Sequence, residues 1–169
     1  MQKTTELKPI SREAIPRALQ KAERYRLLNQ SWATESICQD VLEADPSHQQ
    51  ALVMLLLSLT DQFGSEPREL ARRARAVLAR LADPYQRHYY DGIISERLGH
   101  AQLVQGAMHA EAMAEESLRA AMRSFEQAEG LRQPGNDDAI LRWNTCVRTL
   151  ERLRVHEESG EPHEPQFGE

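Results

Sequence analysis

Apolar residues along this chain return every three or four positions, the interval that lines up side chains on one face of an α-helix. Over residues 13–28, Ile15, Leu19, Ala22 and either Tyr25 or Arg26 share a face. Residues 32–44 repeat the pattern with Thr34, Ile37 or Cys38, and Val41. Residues 49–63 are apolar nearly all round, which predicts a helix enclosed by its neighbours. Residues 68–82 place Leu70, Ala74, Val77, Leu78 and Leu81 on one side, and a fifth helix is expected over 85–98, stopped by Gly99. Ala107, Ala110, Ala114, Leu118, Ala121, Phe125 and Ala128 then hold a single register. They predict an over-length sixth helix spanning 101–130, whose first half overhangs the rest. A seventh helix carries Ile140, Trp143, Val147, Leu150 and Leu153. Strand signals are nearly absent, with few β-branched runs and only 5% aromatic residues, so the fold class is all-α with about seven helices.

Punctuation residues fall between these segments. Pro16 lies in a first turn, where its missing N–H costs nothing. Ser31 and Asn136 are suited to cap helix N-termini, and Asp137 and Asp138 suit the positive end of the last helix. Asp45-Pro46 and Asp83-Pro84 read as two helix stops. Residues 1–11 are polar and expected to be flexible, residues 12–155 form the helical domain, and residues 156–169 read as a disordered acidic tail. That tail is rich in Glu, Pro and Gly and has no apolar face.

The two Asp-Pro steps recur at an interval of about 38 residues, one helical hairpin plus a short insertion placed at 63–68. Ala18, Ala22 and Tyr25 occupy helix-A positions of a first repeat, and Thr34, Cys38 and Val41 its helix-B positions. Ala51, Leu52, Leu55, Leu56 and Leu59 do the same for the second helix A. In the third, Tyr89-Tyr90-Asp91-Gly92 followed by Leu98-Gly99 supplies helix A, and Ala121, Phe125 and Ala128 supply helix B. In these residues the chain resembles the tetratricopeptide repeat (TPR) family over roughly residues 13–131, with 136–155 as a capping helix. Two departures stand out. Leu56 replaces a small residue at the second A/B contact, and the third repeat holds about 15–20 extra residues after Gly99.

The resemblance implies a right-handed solenoid of helical hairpins whose A helices line a concave groove. Such a groove holds an extended or helical segment of another protein, so the implied function is a non-catalytic protein–protein interaction adaptor. The register assigns Arg26, Val53, Leu57, Asp61, Tyr89, Ile93, Arg97 and Arg148 to the groove, together with Glu23, Thr60, Gln86, Glu96, Leu141 and Thr145. Val53 and Leu57 would form its apolar centre, and the arginines would act as forks for carboxylates. The overhanging helix is a second candidate contact surface. A self-associating structural subunit of a larger assembly is the alternative, so a homo-oligomer is possible.

Composition narrows the remaining chemistry. The net charge of -5 argues against a general nucleic-acid binder. The basic run Arg68, Arg72, Arg73, Arg75 and Arg80 is interspersed with Glu66 and Glu69 and reads as a solvated face. No apolar run is long enough to cross a bilayer, and no apolar leader segment is visible. Two cysteines, Cys38 and Cys146, do not make a disulfide framework, so a cytoplasmic, reducing compartment is expected, with both thiols buried. His88, His100 and His109 lack zinc spacing, and Glu96 with His100 is a lone i, i+4 pair. No catalytic constellation, metal motif or cofactor loop emerges.

Overall fold

The computed structural model describes residues 6–106 and 108–159. Among them are seven α-helices and one short 3-10 turn, Arg12–Ala14, with no strand. The helices are α1 (Ile15–Leu27), α2 (Ser31–Ala44), α3 (Gln49–Thr60), α4 (Pro67–Leu78), α5 (Pro84–Gln105), α6 (Ala110–Glu129) and α7 (Asp138–Ser159). Each packs on the next in sequence, and alternate helices α1, α3 and α5 also touch side by side.

Two apolar clusters form the core. The first is built mainly from α1 to α4 around Leu52, Leu56 and Leu59, with Ile94 reaching in from α5. The second joins α5, α6 and α7 around Leu118, Phe125 and Cys146. Leu57 and Tyr90 pack against both clusters and couple them. As its all-round apolar pattern predicts, α3 is enclosed, with Leu52 and Leu56 fully buried. Leu56 shares the first cluster with the buried small residues Ala71 and Ala74 of α4.

The third hairpin departs most from expectation. The fifth helix does not stop at Gly99, and no single helix spans 101–130. α5 runs through to Gln105, Gly106 closes it in a left-handed conformation (φ 57°), and α6 begins at Ala110. Gly99 is needed for close approach rather than for termination. A Cβ there would lie 3.2 Å from both the Ala114 carbonyl oxygen and Leu118 Cγ. The extra residues thus lengthen both helices, and α6 folds back onto α5. Leu103, Ala110, Ala114 and Leu118 are buried along this extension. Ser117 Oγ donates to Gln102 Oε1 at 2.9 Å across it. No single helix overhangs the rest, because the chain turns between Gln105 and Ala110 and buries Ala110 and Ala114, while Met108 in the turn is 84% exposed.

The two Asp-Pro steps also differ from each other. Asp45 ends α2, whereas Asp83-Pro84 starts α5. Asp83 Oδ1 accepts from the Tyr85 N–H at 3.0 Å, and Pro84 occupies the position where a helix needs no donor. Ser31 is the first residue of α2 rather than its cap, a position held by Gln30. Asn136 lies one residue before the N-cap position of α7, which Asp137 holds with its carbonyl accepting from the Leu141 N–H at 3.0 Å, and Asn136 Oδ1 accepts from the Asp138 N–H at 3.1 Å. Residues 6–11 have no regular secondary structure, although Ile10 packs on the first cluster. α7 continues through Ser159 and takes in the first four residues of the expected acidic tail. Residues 1–5, residues 160–169 and Ala107 lie outside the described residues.

Candidate functional site

The alternate helices meet through a band of charged side chains that begins at the C-terminal end of α1. Arg26 Nε donates to Asp61 Oδ2 at 2.6 Å, and Arg26 Nη2 to Oδ1 at 3.3 Å. Asp61 directly follows α3, and the same carboxylate accepts from Arg97 Nη1 of α5. Arg97 Nη1 also donates to Thr60 Oγ1 at 2.6 Å and to the Leu57 carbonyl at 3.4 Å. One carboxylate thus holds two guanidiniums from two other helices. Burial lowers the Arg97 pKa from its ordinary value, and Asp61 opposes that shift.

A second pair continues the band toward α7. Glu96 is only 2% exposed and accepts from Arg142 Nη1 at 3.3 Å. Burial raises the Glu96 carboxyl above its ordinary range, while Arg142 and Arg97 pull it down. His100, one helical turn further along α5, is lowered by burial and by the nearby Arg152 and Arg142. The band therefore runs through Arg26, Asp61, Arg97, Glu96 and Arg142, across α1, α3, α5 and α7. A polar cleft of about 390 Å³ opens beside it, lined by Arg26, Leu27, Asn29, Ser31 and Asp61.

Of the fourteen residues assigned to the groove, the structure brings Arg26, Leu57, Thr60, Asp61 and Arg97 together, with Glu96 beside them on α5. Val53 and Leu57 are half-buried on the first cluster. Tyr89 is half-buried on α5, stacked on Tyr85 with ring centroids 5.7 Å apart and edge-on to Tyr90 at 5.2 Å. Ile93 is core, 3% exposed. Arg148 is exposed on α7 and lies apart from the Asp61 cluster. It lines a cleft of about 480 Å³ with Glu151, Arg152, Val155 and His156. Arg142 was not singled out by sequence reasoning. Its only local signal is its position one turn into a helix, and its partner lies 46 residues away.

The other candidates resolve into internal contacts. Arg72 pairs with Glu69 at 2.6 Å, and Arg73 with Glu35 at 2.5 Å. Arg75 reaches Asp91 at 3.4 Å, and Arg80 donates to the Pro46 carbonyl at 2.7 Å. The basic run on α4 is thus largely engaged within the chain. Cys38 and Cys146 are buried and unpaired, and burial pushes both thiols up to about 12. Among the described residues no group of three or more His, Cys, Asp or Glu side chains could hold a metal ion. No helix among them is long and apolar enough to cross a membrane.

No protein-family model, curated protein or solved structure matches the chain. The reading of its function therefore rests on its own residues.

Proposed function

We propose that this chain is a non-catalytic adaptor of TPR-like solenoid architecture that holds a segment of another protein on the face shared by α1, α3, α5 and α7. The observation that supports it is the Arg26–Asp61–Arg97 and Glu96–Arg142 band, which ties alternate helices side by side. Helices packed this way present one continuous face instead of closing into a four-helix bundle. The arginines on this face contribute structure first. Asp61 and Glu96 hold three of them, so the exposed recognition residues are Arg148 and Leu141 on α7, the latter 62% exposed. Two unpaired buried cysteines suit a reducing, cytoplasmic setting.

The test is co-purification of the native protein with mass spectrometry, repeated with a Leu141→Glu, Arg148→Glu double variant. Loss of the partner with unchanged helicity and melting temperature supports the face as the binding surface. A partner retained by the variant removes α7 from it.

A further inference from the structure

We infer that the outer side of the α1–α2 hairpin is a self-complementary surface on which a second copy of this chain docks, separate from the partner-binding face. A cleft of about 400 Å³ runs between α1 and α2, with Ala18, Tyr25, Trp32 and Ile37 among its lining residues. No further helix among the described residues packs over it. Trp32 is 70% exposed at the start of α2, and Leu28 is 59% exposed at the end of α1. A hairpin at the end of a helical stack stays soluble by presenting a polar outer surface. This one presents an indole, a side chain enriched at the centres of protein interfaces.

Charge identifies the occupant. Lys21 of α1 and Asp40 of α2 line the same cleft from opposite sides. Neither belongs to a salt bridge among the described residues. The Lys21 ammonium instead sits 5.8 Å from the Tyr25 ring centroid. Arg17 and Arg24 share Lys21's side of α1 at helical spacing, and Glu43 shares Asp40's side of α2. The surface is therefore basic along one helix and acidic along the other, with an apolar seam between them. A two-fold axis through such a surface sets α1 of one copy against α2 of the other. Lys21 then meets Asp40 of the second copy twice, and the two Trp32 side chains close the seam. A uniformly acidic or basic partner would match only half of the surface.

The test is the mass of the full chain by light scattering and sedimentation, from low micromolar to several hundred micromolar. The expected mass rises from 19.3 kDa toward twice that value. Trp32→Glu stays monomeric with unchanged circular dichroism, since this side chain is mostly in solvent. Lys21→Glu and Asp40→Lys, each alone, weaken association by about tenfold or more through like-charge contacts. An equimolar mixture of these two single variants associates again, because every cross-copy contact then pairs opposite charges. That recovery places both charges in the contact, and a mass that stops at twice the monomer value, rather than growing further, distinguishes the closed two-fold pair from a head-to-tail array. A monomer at every concentration overturns the proposal. So does a dimer indifferent to Trp32→Glu, or a mixture of the single variants that stays monomeric.

Discussion

Gly92 of α5 lies directly beneath the ring of Phe125 of α6, so close that a Cβ on the glycine would fall 2.4 Å from Phe125 Cε1. Phe125 is fully buried. Its ring is held by Tyr89 at 6.0 Å between centroids and has no room to swing aside. This contact sets the approach of α5 to α6 and so the position of Glu96 and Arg97, one turn further along α5.

Gly92→Ala is therefore expected to destabilise the fold. Alanine in a helix interior gains about 1 kcal/mol over glycine. Forcing a methyl group into a filled contact costs about 1–3 kcal/mol or more. Since the 2.4 Å approach cannot be relieved by a small shift, the packing cost wins. Gly99→Ala meets its neighbours at 3.2 Å, a few tenths of an ångström too close, and is expected to be much milder. Urea denaturation of the two variants compares them directly. Equal stabilities would remove the Phe125 contact as the cause.

Asp61 holds Arg26 and Arg97 at once, so its loss leaves two neighbouring guanidiniums without a carboxylate. Asp61→Ala is expected to cost about 1–3 kcal/mol, less than a fully buried pair would because the partners are partly exposed. Arg26→Ala, which removes only one of the two cations, is expected to cost less. Chemical denaturation at low and high salt checks both. A variant as stable as the parent would show that the ion cluster contributes nothing to the docking of α1, α3 and α5.

The Glu96 carboxyl has a pKa raised above its ordinary value, chiefly by burial. It binds its proton more tightly in the folded chain than in the unfolded one. Its contribution to stability is thus fully present below the ordinary carboxylate range and is lost as pH rises through the raised value. Glu96→Gln is neutral at every pH. Its melting temperature relative to the parent is expected to climb as pH rises from the ordinary carboxylate range, about pH 4, through the raised value. Parallel curves across that window would contradict the shift.

Thiols raised to about 12 by burial are almost wholly protonated near neutrality, and the thiolate is the reactive form. Cys38 and Cys146 are both expected to resist a disulfide reagent in the folded chain and to react fully in urea. Rapid labelling of either in native buffer would show that its helix opens locally.

Much of the fold was legible from spacing alone. The face of Ile15, Leu19 and Ala22, the enclosed α3, and the register of Ala121, Phe125 and Ala128 all depend on periodicity within one helix. Helix ends were less legible where one residue type serves two purposes. Gly99 carries the signature of a stop, yet it is the neighbouring backbone of α6 that makes glycine necessary there. Asp83-Pro84 carries the signature of a stop too, and it begins a helix. Of the candidate site, Arg26, Asp61 and Arg97 were named as separate groove residues. Their shared ion cluster was not visible, because Asp61 is 35 residues from Arg26 and 36 from Arg97.

Local repetition of apolar positions, together with turn-forming residues, was enough to establish an all-helical chain and the inward side of most of its helices. Those are properties of neighbours three and four residues apart. Packing between distant helices decided the rest: that α6 folds back on α5, that Ile93 belongs to the core, and that Glu96 meets Arg142. Side chains that are remote along the chain choose their partners only when the helices carrying them are brought within a few ångströms of each other.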